Sequence, residues 1–274
     1  MSAENGGRAG SGSGAGSGAG AGSGPGDEIG AGASSGRDPR HWAVVPAAGA
    51  GRRFGGPVPK QYLELCGRCV IEHSLATLLE HPAIDGCVLA LSAEDEWWAE
   101  TVYASHPAVQ RVAGGTERSD SVANALEALS EYADEHDWVL VHDAARPCLT
   151  RFDLDRLIAA LGDGSAGALL AVQVHDTVKV ADAASGDRVL RTVPREQLWR
   201  AYTPQAFPLG TLRRALARAR DQGSAITDDA SAIEQLGLRP LLVSGRSDNL
   251  KITRPEDLPL AQFFLEQQQE QGLR

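Results

Sequence analysis

The sequence lacks the features that would place the protein in a membrane or outside the cell. Among its 274 residues, no apolar run approaches the roughly 20 residues that a helix needs to cross a bilayer. The amino terminus has neither the basic segment nor the apolar segment of a secretory signal. Glu4, Asp27, Glu28 and Asp38 disfavour a transit peptide. We therefore expect a cytoplasmic protein that does not bind membranes.

Positive charge and cysteine are also scarce. The 26 Lys and Arg residues against 36 Asp and Glu residues give a net charge of −10, and an acidic surface argues against non-specific binding of nucleic acid or lipid. An anionic small substrate stays open, provided that cations cluster locally. Among the four cysteines, Cys66 and Cys69 have the spacing of a redox pair or of half a zinc site. Because no second pair with ligand spacing follows, we interpret the cysteines as isolated small apolar residues.

Residues 1–40 differ in composition from the rest of the chain. Gly, Ala and Ser dominate this segment, which holds nearly half of the 31 glycines. Such a composition cannot bury enough apolar surface to offset the entropy lost on ordering. We therefore predict a disordered tail over residues 1–40. The remainder, residues 41–274, has a suitable length for one large α/β domain.

From His41 onward, short apolar runs alternate with amphipathic stretches. The runs at residues 88–91 and 139–141 are continuously apolar, which is typical of strands covered on both faces. This alternation predicts an α/β fold with a doubly wound, mostly parallel sheet flanked by helices, as in Rossmann-like nucleotidyltransferases. The predicted strands are residues 43–46, 87–92, 110–113, 138–142, 168–174 and 240–243. The predicted helices are residues 70–80, 94–104, 119–132, 152–161, 209–221, 228–236 and 255–269.

One segment interrupts the alternation of strands and helices. Residues 172–208 are rich in Val, Thr and Arg and contain a turn signal at Gly186-Asp187. They predict two extended stretches joined by a turn, which form a β-hairpin too long for a simple connection. The apolar residues of an isolated hairpin need a cover. We therefore predict that residues 172–208 form a projecting arm that packs on a second copy of the chain in a homodimer.

The most informative motif is residues 44–54, VVPAAGAGRRF, followed by Lys60. A predicted strand leads into small residues whose backbone N–H groups can approach a phosphate closely. Arg52, Arg53 and Lys60 add positive charge, and no acid lies between Pro46 and Lys60. The motif predicts a triphosphate site, although a glycine-rich loop after a strand can also be only a turn. It is neither a Walker loop nor a dinucleotide fingerprint, because the required Gly-Lys-[Ser/Thr] ending and third glycine are absent.

A second motif places Asp143 and Arg146 just after the apolar run at residues 139–141. In open α/β sheets, ligands bind at the carboxyl ends of the strands. Asp143 can hold Mg²⁺, which takes carboxylate and phosphate oxygens together, or it can cap the next turn. We interpret His142, next to Asp143, as a packing residue.

The third and fourth motifs lie at residues 114–122 and 248–257. In the third, two glycines precede hydroxyl residues at the start of a predicted helix. Backbone groups and Ser121 can read the edge of a base there, and Ser119 can cap the helix. In the fourth, Pro255 and the acids after it explain the start of a helix. They do not explain Lys251, a cation flanked by apolar residues, which we expect to point inward.

These four motifs, in this order, resemble those of the 2-C-methyl-D-erythritol 4-phosphate cytidylyltransferases of the non-mevalonate isoprenoid pathway. The resemblance extends from about Trp42 to Phe264 and includes residues 202–205 (YTPQ) and 226–228 (ITD). It also includes Asp176, Thr177 and Arg195 in the predicted arm. One departure is Thr116, where some members of the family carry Asp. The tail has no counterpart in the resemblance.

The resemblance implies a role for each matching residue. Implied to bind CTP are Pro46, Ala47, Ala48, Gly49, Ala50, Gly51, Gly115, Thr116, Ser121 and Ala144. Implied to stabilise the charge of the reacting phosphates are Arg53, Lys60, Arg195 and Lys251. Implied to bind the methylerythritol phosphate are Arg146, Thr177, Arg195, Thr203, Thr227 and Lys251. The implied partners are CTP, 2-C-methyl-D-erythritol 4-phosphate and a second copy of the chain, and the implied cofactor is Mg²⁺, for which Asp143 is the candidate ligand.

The implied reaction joins CMP from CTP to 2-C-methyl-D-erythritol 4-phosphate and releases pyrophosphate. The attacking phosphate is already ionised, so catalysis needs positioning and charge neutralisation rather than a general base. The nearest alternative is another sugar-phosphate nucleotidyltransferase of the same fold, but Thr177, Arg195 and Lys251 favour the methylerythritol substrate. A non-catalytic nucleotide-binding protein is the other alternative, and the presence of Arg53, Lys60 and Asp143 argues against it.

Overall fold

The fold is described from a computed structural model, which covers residues 37–49, 58–162 and 164–274. The predicted disordered tail lies outside the described residues except for its last four, residues 37–40. Arg37 and the described residues after it belong to one compact unit. The Arg37 guanidinium lies 2.8 Å from a carboxylate oxygen of Asp137, so Arg37 contacts the domain that was predicted to begin at His41.

The described residues form a central sheet, two small hairpins and flanking helices. The strands are β1 (His41–Pro46), β2 (Glu64–Leu65), β3 (Arg68–Cys69), β4 (Gly86–Leu91), β5 (Val109–Ala113), β6 (Trp138–Val141), β7 (Ala168–Gln173), β8 (Val178–Ala181), β9 (Val189–Val193), β10 (Trp199–Pro208) and β11 (Leu241–Ser244). The helices are α1 (Val70–Leu79), α2 (Arg118–Leu129), α3 (Arg151–Ala159), α4 (Leu209–Asp221), α5 (Asp229–Gln235) and α6 (Asp257–Glu270).

The central sheet has seven strands in the order β11-β7-β10-β6-β1-β4-β5. β1 pairs in parallel with β4 and β6, and β11 pairs in parallel with β7. Only β10 runs against its neighbours, β6 and β7. Because the chain adds β4 and β5 on one side of β1 and β6 on the other, the loops after β1 and β6 diverge. In open α/β sheets, such a crevice at the carboxyl ends of the strands is where ligands bind.

Apolar side chains cover both faces of this sheet. Along β1, Val45 packs in the same core as Ile71 of α1, while its neighbour Val44 packs in the opposite core with Leu126 of α2. These side chains are fully buried, and burying a residue of this size contributes roughly 1.5–3 kcal/mol. A third cluster joins α6 to Ile252. Burial on both faces explains why the strand sequences are continuously apolar.

The structure confirms the predicted fold class, a mostly parallel sheet between helices. Each of the six predicted strands is present with its bounds shifted by at most a few residues, and six of the seven predicted helices form. The predicted helix at residues 94–104 is wrong, because only a 3-10 turn, Trp98–Glu100, forms there. The carboxylate of Asp95 accepts hydrogen bonds from the backbone N–H groups of Trp97 and Trp98. Such local side-chain bonds compete with the hydrogen bonds of a helix.

The predicted arm, residues 172–208, is longer than the excursion that the structure shows. β8 and β9 form an antiparallel hairpin, whereas β10 lies inside the central sheet between β7 and β6. Residues 202–207 of β10 are buried, and this burial decides that the strand stays in the core. The arm therefore comprises residues 174–198. It exposes Val189 and Leu190, each 62% accessible.

Two further features bear on the sequence predictions. None of the described helices is long and apolar enough to cross a membrane. The four cysteines are free thiols; Cys66 is exposed in the turn between β2 and β3, and Cys69 immediately precedes α1.

Asp137 binds the first described residues, 37–42, next to the start of β6. Its buried carboxylate accepts hydrogen bonds from the Arg37 guanidinium, the Arg40 backbone N–H and the Trp42 indole N–H, at 2.9, 2.9 and 3.2 Å. Burial acts to raise the pKa of Asp137, but these hydrogen bonds, led by that from Arg37, outweigh it and lower the pKa to about 2. The ionised carboxylate therefore stabilises the folded state.

We expect Asp137→Asn to lower the free energy of unfolding at neutral pH by about 2 kcal/mol. Because folding lowers this pKa, the contribution is complete above the unfolded value of about 4. It is lost as the pH falls toward the folded value of about 2. Urea unfolding across this range measures the difference, with Asp187→Asn, in the exposed turn of the arm, as the control. A difference between Asp137→Asn and the unchanged chain that does not shrink in acid would contradict the assignment.

Candidate active site

A cavity of about 540 Å³ lies at the carboxyl edge of the sheet, next to β1 and β6. The loops after β1, β5 and β6 line it together with the segments that contain Thr227 and Lys251. The sequence-predicted residues that the structure brings together there are Pro46, Ala47, Ala48, Gly49, Lys60, Gly115, Thr116, Ser121, Asp143, Ala144, Thr227 and Lys251. The predicted residues Ala50, Gly51 and Arg53 lie outside the described residues.

Small residues let two loops meet at the cavity wall. A Cβ atom at Gly114 would lie 2.2 Å from the Cβ of Ala48, so only glycine permits this contact between the loops after β1 and β5. The Ser121 hydroxyl accepts a hydrogen bond from the backbone N–H of Gly115 at 3.0 Å and donates to the carbonyl of Glu117 at 3.3 Å. Ser121 thus stabilises the loop after β5. Its predicted part in base recognition, together with this loop, stays a prediction. The residue before α2 is Glu117 rather than the predicted cap, Ser119.

Lys60 also lines the cavity, from the 3-10 turn Lys60–Tyr62. Its Nζ donates to the carbonyl oxygen of Ile252 at 2.7 Å. The side chains beside it brace the turn, because Gln61 donates to the carbonyl of Ala47 at 2.9 Å and the Tyr62 hydroxyl donates to Asp95 at 2.8 Å. The Lys60 ammonium is therefore bound to the segment of Lys251, and the neighbouring Gln61 joins the turn to the loop after β1.

Asp143 is the electrostatic centre of the cavity. Its Oδ1 accepts from Nε of Arg118 at 2.9 Å, and its Oδ2 lies 2.9 Å from Nζ of Lys251 and 3.3 Å from Nε of Arg146. Its side chain is only 8% exposed. Burial acts to raise the pKa of Asp143, but the charges of Arg118, Lys251 and Arg146 outweigh it and hold the pKa far below the usual range. The inward-pointing Lys251 expected from the sequence thus has this carboxylate as its partner.

Arg118 is a cavity residue that the sequence analysis missed. It lines the cavity and bridges two buried carboxylates, because its Nη2 lies 2.8 Å from Oδ2 of Asp229 while its Nε binds Asp143. Burial acts to lower the pKa of Arg118, but the two carboxylates raise it overall, so its charge is fixed. Its position within the third motif, between Gly115 and Ser121, was the available signal. The contact with Asp229, 111 residues away, was not visible in the sequence.

The chain is similar to known proteins of one family. A family model described as 2-C-methyl-D-erythritol 4-phosphate cytidylyltransferase matches residues 41–267. The chain belongs to this family. A relative with the same name from Pseudomonas fluorescens (strain Pf0-1) is 54% identical over 221 residues, which are 80% of this chain and 93% of the relative. One from Ectopseudomonas mendocina (strain ymp) is 55% identical over 220 residues, with the same coverage of both chains.

Solved structures give the same result. A crystal structure of 4-diphosphocytidyl-2C-methyl-D-erythritol synthase is 40% identical, with a TM-score of 0.71, and the match covers 84% of this chain and 100% of that one. The cytidylyltransferase from Francisella tularensis is 32% identical with a TM-score of 0.71, over 82% and 99% of the two chains. The family expected from the motifs is thus confirmed, and with it the enzyme class, a nucleotidyltransferase.

Four of the residues predicted to bind the methylerythritol phosphate do not line the cavity of the chain. Arg146 and Thr203 are buried, at 8% and 4% exposure. The Arg146 guanidinium lies against Asp143, over the ring of Tyr202. Thr177 and Arg195 are exposed on the arm, where Arg195 donates to the carbonyl of His175.

His142 has more contacts than a packing residue needs. It is fully buried, and each ring nitrogen has a hydrogen-bond partner, Thr203 for Nδ1 and the carbonyl of Arg146 for Nε2. Burial lowers the pKa of His142 to about 4, so the imidazole is neutral at physiological pH. It does not line the cavity.

The side chains at the cavity limit how the predicted Mg²⁺ could bind. Within the described part of the chain, no group of three or more His, Cys, Asp or Glu side chains could enclose a metal. Both oxygens of Asp143 already have cationic partners. Because Mg²⁺ is commonly bound through one or two carboxylates together with substrate phosphates, these residues fit a cation that enters with a nucleotide. They do not fit a metal enclosed by protein ligands alone, and direct ligation by Asp143 stays a prediction.

We expect Asp143→Asn to destabilise the fold strongly, because it leaves Arg118, Arg146 and Lys251 without their shared counter-charge. Removing one partner of a buried ion pair typically costs about 3–5 kcal/mol. Chemical denaturation at pH 7 measures the loss. The control is Asp155→Asn, whose 56% exposed carboxylate contacts His81 and Arg151 and should contribute less than about 1 kcal/mol. Equal, small losses in the two variants would contradict the central role of Asp143.

Proposed function

We propose that the chain transfers CMP from CTP to 2-C-methyl-D-erythritol 4-phosphate, forming 4-diphosphocytidyl-2-C-methyl-D-erythritol and pyrophosphate. One observation carries the proposal. Lys60, Lys251 and Arg118 converge from three distant segments on one cavity beside a loop of small residues, in a chain of this family. Two anionic substrates that repel one another need such a concentration of positive charge on an otherwise acidic protein.

CTP is proposed to lie along the cavity from the loop after β1 to the loop after β5. The triphosphate contacts Pro46, Ala47, Ala48 and Gly49, and Lys60 contributes the charge. Among the described residues, no atom lies within 4 Å of the position of a Cβ on Gly49, which supports this placement because those residues leave the backbone open to a ligand. The cytosine faces Gly115, Thr116 and Ser121, where the ordered loop presents backbone groups. Ala144 borders the nucleotide, and Ala50, Gly51 and Arg53 are proposed to extend the phosphate site.

The reaction is a direct displacement at the α-phosphorus of CTP. A phosphate oxygen of the methylerythritol substrate forms the new P–O bond, and the bond to the bridging oxygen of the β-phosphate breaks as pyrophosphate leaves. No proton needs to be removed from the ionised nucleophile, which agrees with a neutral His142 outside the cavity lining. The contribution of the protein is to hold both phosphates in line and to stabilise the added charge.

The two lysines are held near where this charge develops. Lys60 is bound to the carbonyl of Ile252. Lys251, which precedes Ile252 in the chain, is bound to Asp143. Lys251 remains 37% exposed, so its ammonium can also reach a phosphate. Ammonium groups that are placed before the substrate binds need little reorganisation in the transition state. Thr227, which also lines the cavity, is proposed to orient the methylerythritol phosphate beside Lys251.

Asp143 is the residue proposed to hold a Mg²⁺ ion bound with the triphosphate, and the ion would supply further neutralisation of phosphate charge. Asp143 would have to loosen its contact with Lys251 in order to ligate the ion. A cytoplasmic location stays a prediction.

The arm is proposed to complete the active site of a second copy in a homodimer. Thr177 and Arg195 lie on the arm, away from the cavity of their own chain, yet both match positions that bind the second substrate in this family. Val189 and Leu190 on β9 are mostly exposed, and burying them against another copy would stabilise a dimer. Arg195 would then add its charge to a cavity that it does not line in its own chain.

The reaction is tested by pyrophosphate release from CTP with and without 2-C-methyl-D-erythritol 4-phosphate. We expect release only with both substrates, and we expect Lys60→Ala or Arg53→Ala to lower kcat by about 10²–10³-fold, the usual effect of removing one preorganised charge contact. Arg220→Ala, an exposed cation on α4, is the control and should keep its turnover. Pyrophosphate release with other sugar phosphates but not with methylerythritol phosphate would show that the proposed substrate is wrong. Unchanged turnover of Lys60→Ala would remove its assigned role.

The shared active site is tested by mixing inactive variants. We expect Arg195→Ala to weaken the use of methylerythritol phosphate and to leave CTP affinity largely intact. When Arg195→Ala and Lys60→Ala subunits exchange, each heterodimer contains one site with both lesions and one intact site, so activity should partly return. No recovery after confirmed exchange would mean that Arg195 acts in its own subunit. A fully active monomer would exclude the shared site.

A further inference from the structure

A buried chain of hydrogen bonds lies beneath the cavity and joins β10 to the turn after β6. The backbone N–H of Asp143 donates to the hydroxyl oxygen of Thr203 at 3.1 Å. That oxygen lies 3.0 Å from Nδ1 of His142, and Nε2 of His142 lies 3.2 Å from the carbonyl oxygen of Arg146. His142 and Thr203 are 0% and 4% exposed, so water does not compete for these partners.

The chemistry of the two ends fixes the direction of the two outer bonds in this chain, and the single proton of a neutral imidazole fixes the direction of the middle one. A backbone N–H can only donate, so Thr203 accepts from Asp143. A carbonyl can only accept, so Nε2 of His142 carries a proton. A neutral imidazole has one N–H, which leaves Nδ1 as an acceptor. The hydroxyl of Thr203 therefore donates its proton to Nδ1 of His142.

In this arrangement, the hydroxyl proton of Thr203 is already used in a hydrogen bond within the protein. Thr203 cannot donate to a substrate phosphate without breaking its bond to His142. Its backbone is held as well, because the side-chain amide of Asn249 donates to the carbonyl of Thr203 at 2.8 Å. Asn249 also receives a hydrogen bond on its own carbonyl from Arg146 at 2.8 Å. Thr203 is thus linked to both sides of the cavity floor.

These hydrogen bonds lie at the two ends of the turn from Asp143 to Arg146, which carries the Asp143 carboxylate. Its two ends are the N–H of Asp143 and the carbonyl of Arg146, and an internal bond of 3.0 Å from the N–H of Arg146 to the carbonyl of Asp143 closes it. The position of this turn sets where the Asp143 carboxylate meets Lys251 and Arg118. A displacement of about 1 Å in such a group can cost as much as 10²-fold in rate.

We propose that His142 is a positioning residue for the transfer reaction, which acts through Thr203 to fix the Asp143–Arg146 turn and hence Lys251 and Arg118 at the cavity. Thr203 then serves the reaction from within this chain of bonds rather than by contact with the methylerythritol phosphate. The inference rests on the proposed function for its consequence in catalysis. The direction of the hydrogen bonds stands apart from that function and can be measured separately.

Two histidine variants each keep half of the chain of bonds. His142→Asn places an amide near the position of Nδ1 and keeps a partner for Thr203, whereas His142→Gln places one near Nε2 and keeps a partner for Arg146. Thr203→Ser retains the hydroxyl, and Thr203→Val replaces it with a methyl group of the same shape. We expect Thr203→Ser to stay within a few-fold of normal turnover. Thr203→Val and His142→Gln should each lower kcat by about 10- to 100-fold, with a smaller change in KM for CTP.

The double variant distinguishes positioning from direct contact. If Thr203 acts through His142, Thr203→Val combined with His142→Gln should be little worse than the more damaging single change, because both break the same link. If Thr203 contacts the substrate, the two losses should multiply, and that result would overturn the proposal. His73→Gln is the matched control, because His73 is another buried histidine with a ring nitrogen bound to a carbonyl, that of Leu65. It should lower stability without changing kcat.

Nitrogen NMR of the full chain labelled in histidine tests the bond directions without any assay of activity. The expected signal for His142 is a neutral ring with the proton on Nε2 at pH 7, and Thr203→Val should shift its Nδ1 resonance. A proton on Nδ1 would overturn the inferred directions whatever reaction the enzyme catalyses. The expected tautomer together with full turnover in Thr203→Val would overturn the positioning role and leave the proposed function standing.

Discussion

The negative charge of Asp143 is the constraint on which the rest of the active site depends. An ionised carboxylate with little access to water is costly unless cations and hydrogen bonds compensate it. Here the compensation comes from three separate places in the chain, Arg118 at the start of α2, Arg146 in the turn after β6 and Lys251 beyond β11. One charge therefore gathers the segments that form the cavity, and the same contacts hold Arg118 and Lys251 at its wall.

The sheet delivers these groups to a common edge. The parallel strands β1, β4, β5 and β6 end on the same side, and Gly114 lets the loops after β1 and β5 touch. The antiparallel β10 adds something that a parallel strand could not. It runs back from the arm past the end of β6 and so places Thr203 beside His142 and Asp143. The reversed strand thereby links the floor of the cavity to the base of the arm.

Stability and function draw on the same contacts at this edge. Lys60 is bound to a carbonyl and Lys251 to a carboxylate, so both ammonium groups are placed by interactions within the folded protein. When a substrate phosphate enters, it can replace part of the bonding of these two ammonium groups. The buried hydrogen bonds of His142 and Thr203 prevent the turn beneath from shifting as that exchange occurs. Rigid support beneath these lysine side chains keeps their placement precise while a charged product is released.

Sequence alone was sufficient for the features that depend on local pattern. Continuous apolar runs identified the parallel strands. Local motifs singled out Gly49, Gly115, Lys60, Asp143 and Lys251, which the structure brings together at one cavity; their predicted role in binding the nucleotide stays a prediction. Only the tertiary structure decided that residues 199–208 enter the sheet, that Arg118 joins Asp143 to Asp229, and that Thr203 is buried against His142. Those outcomes depend on partners distant along the chain, as in the contact between Arg118 and Asp229. No local propensity encodes them, because the energy that selects each one arises only when the distant segments pack together.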